Sequence, residues 1–300
     1  MKKLISLLLF VCSISTVCTA DSLNPYVLAG IDQGSMESVA SRLTDQLTTN
    51  GFEVVGSYAP AENPELQVIC IAHNALEGAV RKSGGLTGFA AVLRVGLNKT
   101  GNGVAVSYTE PMYWGNAYFR KDFASVESAY KEVNAALKAA MSQLPEQIQQ
   151  SFGSKKGMTA KKLQKYHYMM SMPYFDDVNE LDEGNSFEQS MEIIEKSAAD
   201  NPEVDIVYAV KFPDLKIALY GTALKGEKGE KHFLPKIDFN EPRHVPFLPY
   251  ELLVLDGKVV SLHGKYRIAL SFPDLKMGTF MKIMSTPGDI RDAQKSLVSE

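Results

Sequence analysis

Hydrophobic and polar positions along this chain fall into helical and strand-like runs, and the runs come in the same order twice. In the first half, Val27 to Ile31 makes a short apolar strand. Ser35 then opens a helix whose apolar residues Met36, Val39, Ala40, Leu43 and Leu47 keep to one face. Asn50-Gly51 stops it. Strands are predicted from Phe52 to Tyr58 and from Leu66 to Ala72, followed by a glycine-rich crossing through Gly84, Gly85 and Gly88. Ala91 to Leu97 and Val104 to Tyr108 form a hairpin around Gly101-Asn102-Gly103. A second helix from Ser125 carries Tyr130, Val133, Leu137, Ala140 and Met141 on one side, and Pro145 closes the unit.

The second half repeats that order, offset by about 150 positions. Tyr168 to Phe175 is its expected first strand. Ser186 and Gln189 form a capping box on a helix with Phe187, Met191 and Ile194 inward. Strands follow from Val204 to Val210, Lys216 to Leu224 and Tyr250 to Leu255, turning at Asp256-Gly257 into a last strand from Lys258 to Phe272. Thr286-Pro287-Gly288-Asp289 opens the final helix. Local matches mark the repeat: Ser35-Met36-Glu37 with Ser186-Phe187-Glu188, Ala75-Leu76 with Ala223-Leu224, Val106-Ser107 with Val260-Ser261. The expected organisation is a first domain over 22–148, a linker over 149–165 rich in lysine and glycine, and a divergent second copy over 166–300. Each copy reads as strand, helix, four antiparallel strands, helix. That order gives an α+β fold with a curved antiparallel sheet and helices on one face. The other face is left for solvent, for the other copy, or for a ligand.

The first half resembles the domain-of-unknown-function 302 family. The residues that carry the likeness are Gly51-Phe52-Glu53-Val54, the strand from Leu66 to Ala72, Ala91-Val92-Leu93-Arg94-Val95, and Val106-Ser107-Tyr108 followed by Pro111. It covers residues 25 to 145, with the second half a more divergent match. The resemblance implies a saddle-like sheet of the TATA-binding-protein kind and a monomer in which tandem copies pair within one chain. It brings no catalytic residue.

Composition narrows the compartment and the partners. The formal net charge is −4 over 300 residues. Lys2-Lys3, the apolar run Leu4 to Val11 and Cys18-Thr19-Ala20 read as a secretion signal over residues 1–20, which places the mature protein in the periplasm or outside the cell. The run is too short for a spanning helix, so no transmembrane segment is expected after its removal. Neither Cys12 nor Cys18 has a good lipoprotein setting. An acidic chain has no electrostatic reason to bind nucleic acid. Cys70 is left alone in the apolar run Val68 to Ile71, where a buried, inert thiol is expected.

Three segments carry candidate chemistry. In Tyr166 to Phe175, thioethers and an imidazole at His167, Met169, Met170 and Met172 suit copper(I), and the same side chains suit a core. On the strand from Val260, alternation would line His263, Lys265 and Arg267 along one face, a cationic stripe for a carboxylate or a propionate-bearing tetrapyrrole such as haem. Tyr113, Trp114 and Tyr118 are suited to wall an apolar pocket or to pack at the sheet's end. No zinc helix, nucleophile elbow or phosphate loop is present in the sequence. The function expected is an exported, non-enzymatic binding or accessory protein for an apolar or anionic small molecule. The alternative is a module that docks on another envelope protein, and an enzyme comes last.

Overall fold

A computed structural model describes residues 22–299 of the chain; the expected signal peptide lies outside them. The first half runs β1 (Tyr26–Asp32), α1 (Met36–Thr49), β2 (Phe52–Tyr58), β3 (Leu66–His73), α2 (Asn74–Ser83), β4 (Leu93–Thr100), β5 (Gly103–Thr109), α3 (Pro111–Phe119) and α4 (Glu127–Met141). Next come β6 (Glu146–Phe152) and α5 (Ala160–Gln164). The second half runs β7 (Val178–Asp182), α6 (Phe187–Asp200), β8 (Val204–Phe212), β9 (Ile217–Leu224) and α7 (Glu230–Ile237). It ends with β10 (Tyr250–Leu255), β11 (Lys258–Leu262), α8 (Gly264–Ser271), α9 (Met277–Phe280) and α10 (Thr286–Lys295).

Two antiparallel sheets result, with helices, an α+β architecture as the pattern predicts. One sheet is ordered β2-β3-β4-β5-β1-β6 and the other β8-β9-β10-β11-β7. Leaving β6 aside, the strand orders are the same element for element. So are two irregularities: β1 bulges at Ala29 and β7 at Leu181, while β2 bulges at Val55 and β8 at Val207. A bulge inserts one unpaired residue and sharpens the local twist, so its recurrence at matching places bends both sheets alike.

Local chemistry explains the elements that periodicity located. Ser35 caps α1, and Ser186 with Gln189 makes the reciprocal capping box on α6. Both helices are 14 residues long. The β10–β11 hairpin turns at Asp256 and Gly257, both with positive φ, the turn whose twist suits two tightly joined strands. Outside the sheets, α1 covers the first, with α4 packed against α1, α2 and α3, and α6 and α10 cover the second.

The inner faces meet each other. Gly56 of β2 abuts β8 so closely that a Cβ there would be driven into the Val207 carbonyl. A 3-10 turn at Gly85–Ala90 packs on β9 and β10, and its counterpart at Val245–Phe247 packs on β4 and β5. Gly96 lies beneath Pro246, whose Cδ would be 2.7 Å from a Cβ, and Gly88 lies beneath Leu253 at the same distance. The face that sequence left for solvent, for a ligand or for the other half is therefore covered by the other half.

Four expectations are corrected. Tyr168 to Phe175 is not a strand but a chain of bends, with Ser171 at φ 73° and Pro173 unable to donate to a ladder. The place of that strand is taken by β7, which pairs only with β11 and so needs no apolar alternation. The strand from Lys258 ends at Leu262, because His263 caps α8 by accepting the Lys265 N–H on its Nδ1. The linker is largely structured: β6 pairs with the free edge of β1 through backbone bonds, which polar residues make as well as apolar ones. Finally, Ala75-Leu76 lies in α2 and Ala223-Leu224 at the end of β9, so that pair of segments does not correspond.

Candidate ligand site between the sheets

The inner faces bring charge into the middle of the molecule. Arg94 of β4 and Gly96, two residues on, share the inner face; so do Glu251 and Leu253 of β10. The Arg94 guanidinium meets the Glu251 carboxylate, and both side chains are fully buried. Arg267 of α8 approaches the same carboxylate at 3.4 Å, donates to the Phe247 carbonyl at 2.9 Å and to the Ser271 hydroxyl at 3.0 Å, and is buried as well. The Tyr208 hydroxyl donates to the other Glu251 oxygen at 3.3 Å.

Two guanidiniums thus share one carboxylate out of reach of water. The Nε of each arginine is buried and without a partner, as is the hydroxyl of Tyr250, while the Tyr26 hydroxyl faces Ser271. A buried charge in excess and unanswered donors are costly unless something answers them. Burial pushes the Tyr26 and Tyr250 phenols up, against the pull of Arg267, so both stay protonated at neutral pH and able to donate.

Aromatic side chains wall this charge. The Arg267 guanidinium lies over the Trp114 ring, 4.9 Å from its centre, and over Tyr250 at 6.0 Å. Tyr113 donates its hydroxyl to the Leu270 carbonyl at 2.8 Å, and the Trp114 indole donates to the Pro25 carbonyl at 2.9 Å. Tyr118 packs edge-on against Trp114 and stacks on Phe175. Tyr113, Trp114 and Tyr118 come from α3, which is buried around its whole circumference except at Met112. Glu110 caps that helix by accepting the Tyr113 N–H at 2.6 Å; burial pushes its carboxyl up to about 7.

A cleft of about 370 Å³ opens where β2 and β8 meet. Its lining includes Tyr58, Glu230, Lys225 and Lys231. Glu230 accepts from the Tyr58 hydroxyl at 2.9 Å, from Ala61 N–H at 2.8 Å and from Leu224 N–H at 3.3 Å, which ties the first half to α7. Burial raises its carboxyl to about 7 against the pull of those three donors. Burial and the Glu230 charge push the Tyr58 phenol upward, and the charge of Arg94, which does not line the cleft, counters them in part.

The structure therefore gathers Arg267, Tyr113, Trp114 and Tyr118 of the sequence-predicted residues, and leaves His263 and Lys265 out. There is no cationic stripe, because the residues from Gly264 on are helical and Arg267 turns inward. The His263 imidazole is held below its usual pKa by burial and by the nearby Lys265. His167 is engaged elsewhere: its Nε2 lies 2.7 Å from the Met172 carbonyl and its ring stacks on Tyr174 at 3.9 Å. Without a strand at Met169, Met170 and Met172, the alternation that would set two thioethers side by side is absent, and Met170 points into solvent. Sequence reasoning missed Arg94, Glu251 and Glu230. The only signal was a charged residue inside an otherwise apolar strand, as at Leu93-Arg94-Val95 and Tyr250-Glu251-Leu252.

No family model matches the chain, and no curated protein matches it. Among solved structures it is similar to an uncharacterized conserved protein of the DUF302 family from Bacillus stearothermophilus, at 12% identity and a TM-score of 0.35, over 40% of this chain and 97% of that one. The fold described above rests on this chain's own strand order.

Proposed function

We propose that this chain is an exported, non-enzymatic binding or accessory protein, built from tandem copies of one sheet-and-helix unit folded as an internal pair. Its ligand is a compact anion with an apolar body, received between the copies through the cleft at Tyr58 and Glu230. The matching strand orders and bulges support the internal pair. One observation carries the ligand class: Arg94 and Arg267 share a single carboxylate and keep buried donors without partners. A carboxylate or similar anion supplies the missing charge and acceptors, and Trp114 and Tyr250 supply apolar faces for its body. The cleft at Tyr58 and Glu230, the entrance in this reading, is at the small end of ligand sites and would admit a compact anion more readily than a tetrapyrrole.

Native mass spectrometry of protein purified from its own cells tests this reading. The expected result is a retained small mass on the wild type that is absent from Arg94→Met and Arg267→Met. A wild type that carries no added mass, or variants that carry the same mass as the wild type, would remove the proposal. Added haem giving a Soret band that depends on Arg267 would identify the anion as a tetrapyrrole and overturn the compact one.

A further inference from the structure

The large hydrophobic side chains that stand exposed among the described residues are not scattered. All eight fall in three segments: Tyr168 to Tyr174, Phe239, and Met277 to Met284. Met170 is 89% exposed and Met284 61%. Met277 and Met281 lie one helical turn apart, with Met284 three residues on, so they share a face. Three adjoining clefts join the segments. One holds Tyr168, Met169 and Met277; it shares Tyr168 with a second, and Phe272 and Leu275 with a third that reaches Phe239.

Lysines ring this surface. Lys156 and Lys162 line the second cleft and Lys276 the third. Lys282 is exposed within the segment from Met277 to Met284, and Lys155, Lys161 and Lys165 are exposed in the stretch that supplies Lys156 and Lys162. The acids in these stretches are Asp176, Asp177, Glu241 and Asp274; Asp274 accepts the Lys155 N–H at 2.6 Å, and Glu241 accepts from the Asn98 amide at 2.8 Å. On a chain whose formal net charge is −4, this face is locally positive.

We propose that this face docks on a bilayer rich in anionic phospholipid. The apolar groove holds only about 40 Å³, too little to enclose a ligand, and the methionines project outward from it. A laterally extended apolar medium accepts such side chains, while the lysine stems lie along it and keep their ammonium groups at the headgroups. Anionic headgroups match the lysines. A second copy of this chain does not, because pairing like faces would set the two lysine rings against each other.

Co-sedimentation with extruded vesicles tests the inference, using one part phosphatidylglycerol to three parts phosphatidylcholine, with pure phosphatidylcholine for comparison. The wild type should partition at least tenfold more strongly onto the anionic vesicles, and less so in 0.5 M salt, since screening weakens each lysine's share. Met277→Ser with Met281→Ser, and separately Lys156→Glu with Lys162→Glu, should each lower partitioning tenfold or more. These residues are exposed, so thermal unfolding should be unchanged and certifies the fold. Equal binding to both vesicle types, or equal binding by wild type and variants, overturns the proposal. So does a dimer that the methionine variant dissolves, with no binding to anionic vesicles. Failure here leaves the ligand site untouched, because none of these residues lines it.

Discussion

Arg267 and Trp114, from helices on opposite halves of the chain, meet with the guanidinium 4.9 Å from the indole ring. The contact is possible because α3 follows β5 and α8 follows β11 in the same way, so the two helices enter the seam between the sheets as counterparts. Tyr113 crosses the same seam to the Leu270 carbonyl.

The shared carboxylate sets an order of costs. Glu251→Gln leaves two buried guanidiniums unanswered and should lower unfolding free energy by about 3–5 kcal/mol. Arg94→Met or Arg267→Met leaves one arginine with one carboxylate and should cost less. Urea unfolding of the three variants reads the order; a smaller loss for Glu251→Gln would contradict the excess positive charge.

Glu230 makes stability depend on pH in a definite direction. Its folded pKa of about 7 exceeds the ordinary 4.5, so the folded state holds the proton more tightly. Stability from this group is full below 4.5 and is lost as pH rises through 7, by up to about 3 kcal/mol. The melting temperature of the wild type minus that of Glu230→Gln should therefore be greatest near pH 5 and shrink by pH 8. A difference that grows with pH would mean that the carboxylate, not the acid, is the favoured form.

Two glycines should respond in opposite senses. Gly56→Ala drives a methyl group into the Val207 backbone and should destabilise by about 1–3 kcal/mol. Gly78, exposed within α2 with nothing near its missing Cβ, should become about 0.5–1 kcal/mol more stable as alanine. Urea midpoints report both, and an unharmed Gly56→Ala would show that β2 and β8 do not approach as described.

Cys70 should be silent in the native state. Burial pushes its thiol up to about 12, and the side chain has no exposure. An aromatic disulfide reagent should label it only after unfolding. Fast labelling of folded protein would place it at the surface.

What was legible is clear from particular elements. The helices α1, α4 and α6 and the hairpins at Gly101-Asn102 and Asp256-Gly257 were readable because each has one wet face, or a turn whose chemistry is local. The helices α3 and α8 were not. Both are buried almost all round, so no polar face recurs every three or four residues, and the alternation from Val260 onward passed for a strand. Those two helices carry Trp114 and Arg267, which is why the candidate site was half seen: its residue types were nominated, but not their meeting.

Sequence by itself determined the α+β class, the helices with one wet face, the tight hairpins and the burial of Cys70, since periodicity, caps and turn residues act over a few neighbours. Tertiary structure alone decided that the inner faces cover each other and that Glu251 answers two arginines. Arg94 and Glu251 stand more than a hundred positions apart, and nothing in the local pattern of Leu93-Arg94-Val95 or Tyr250-Glu251-Leu252 says which charge each will face.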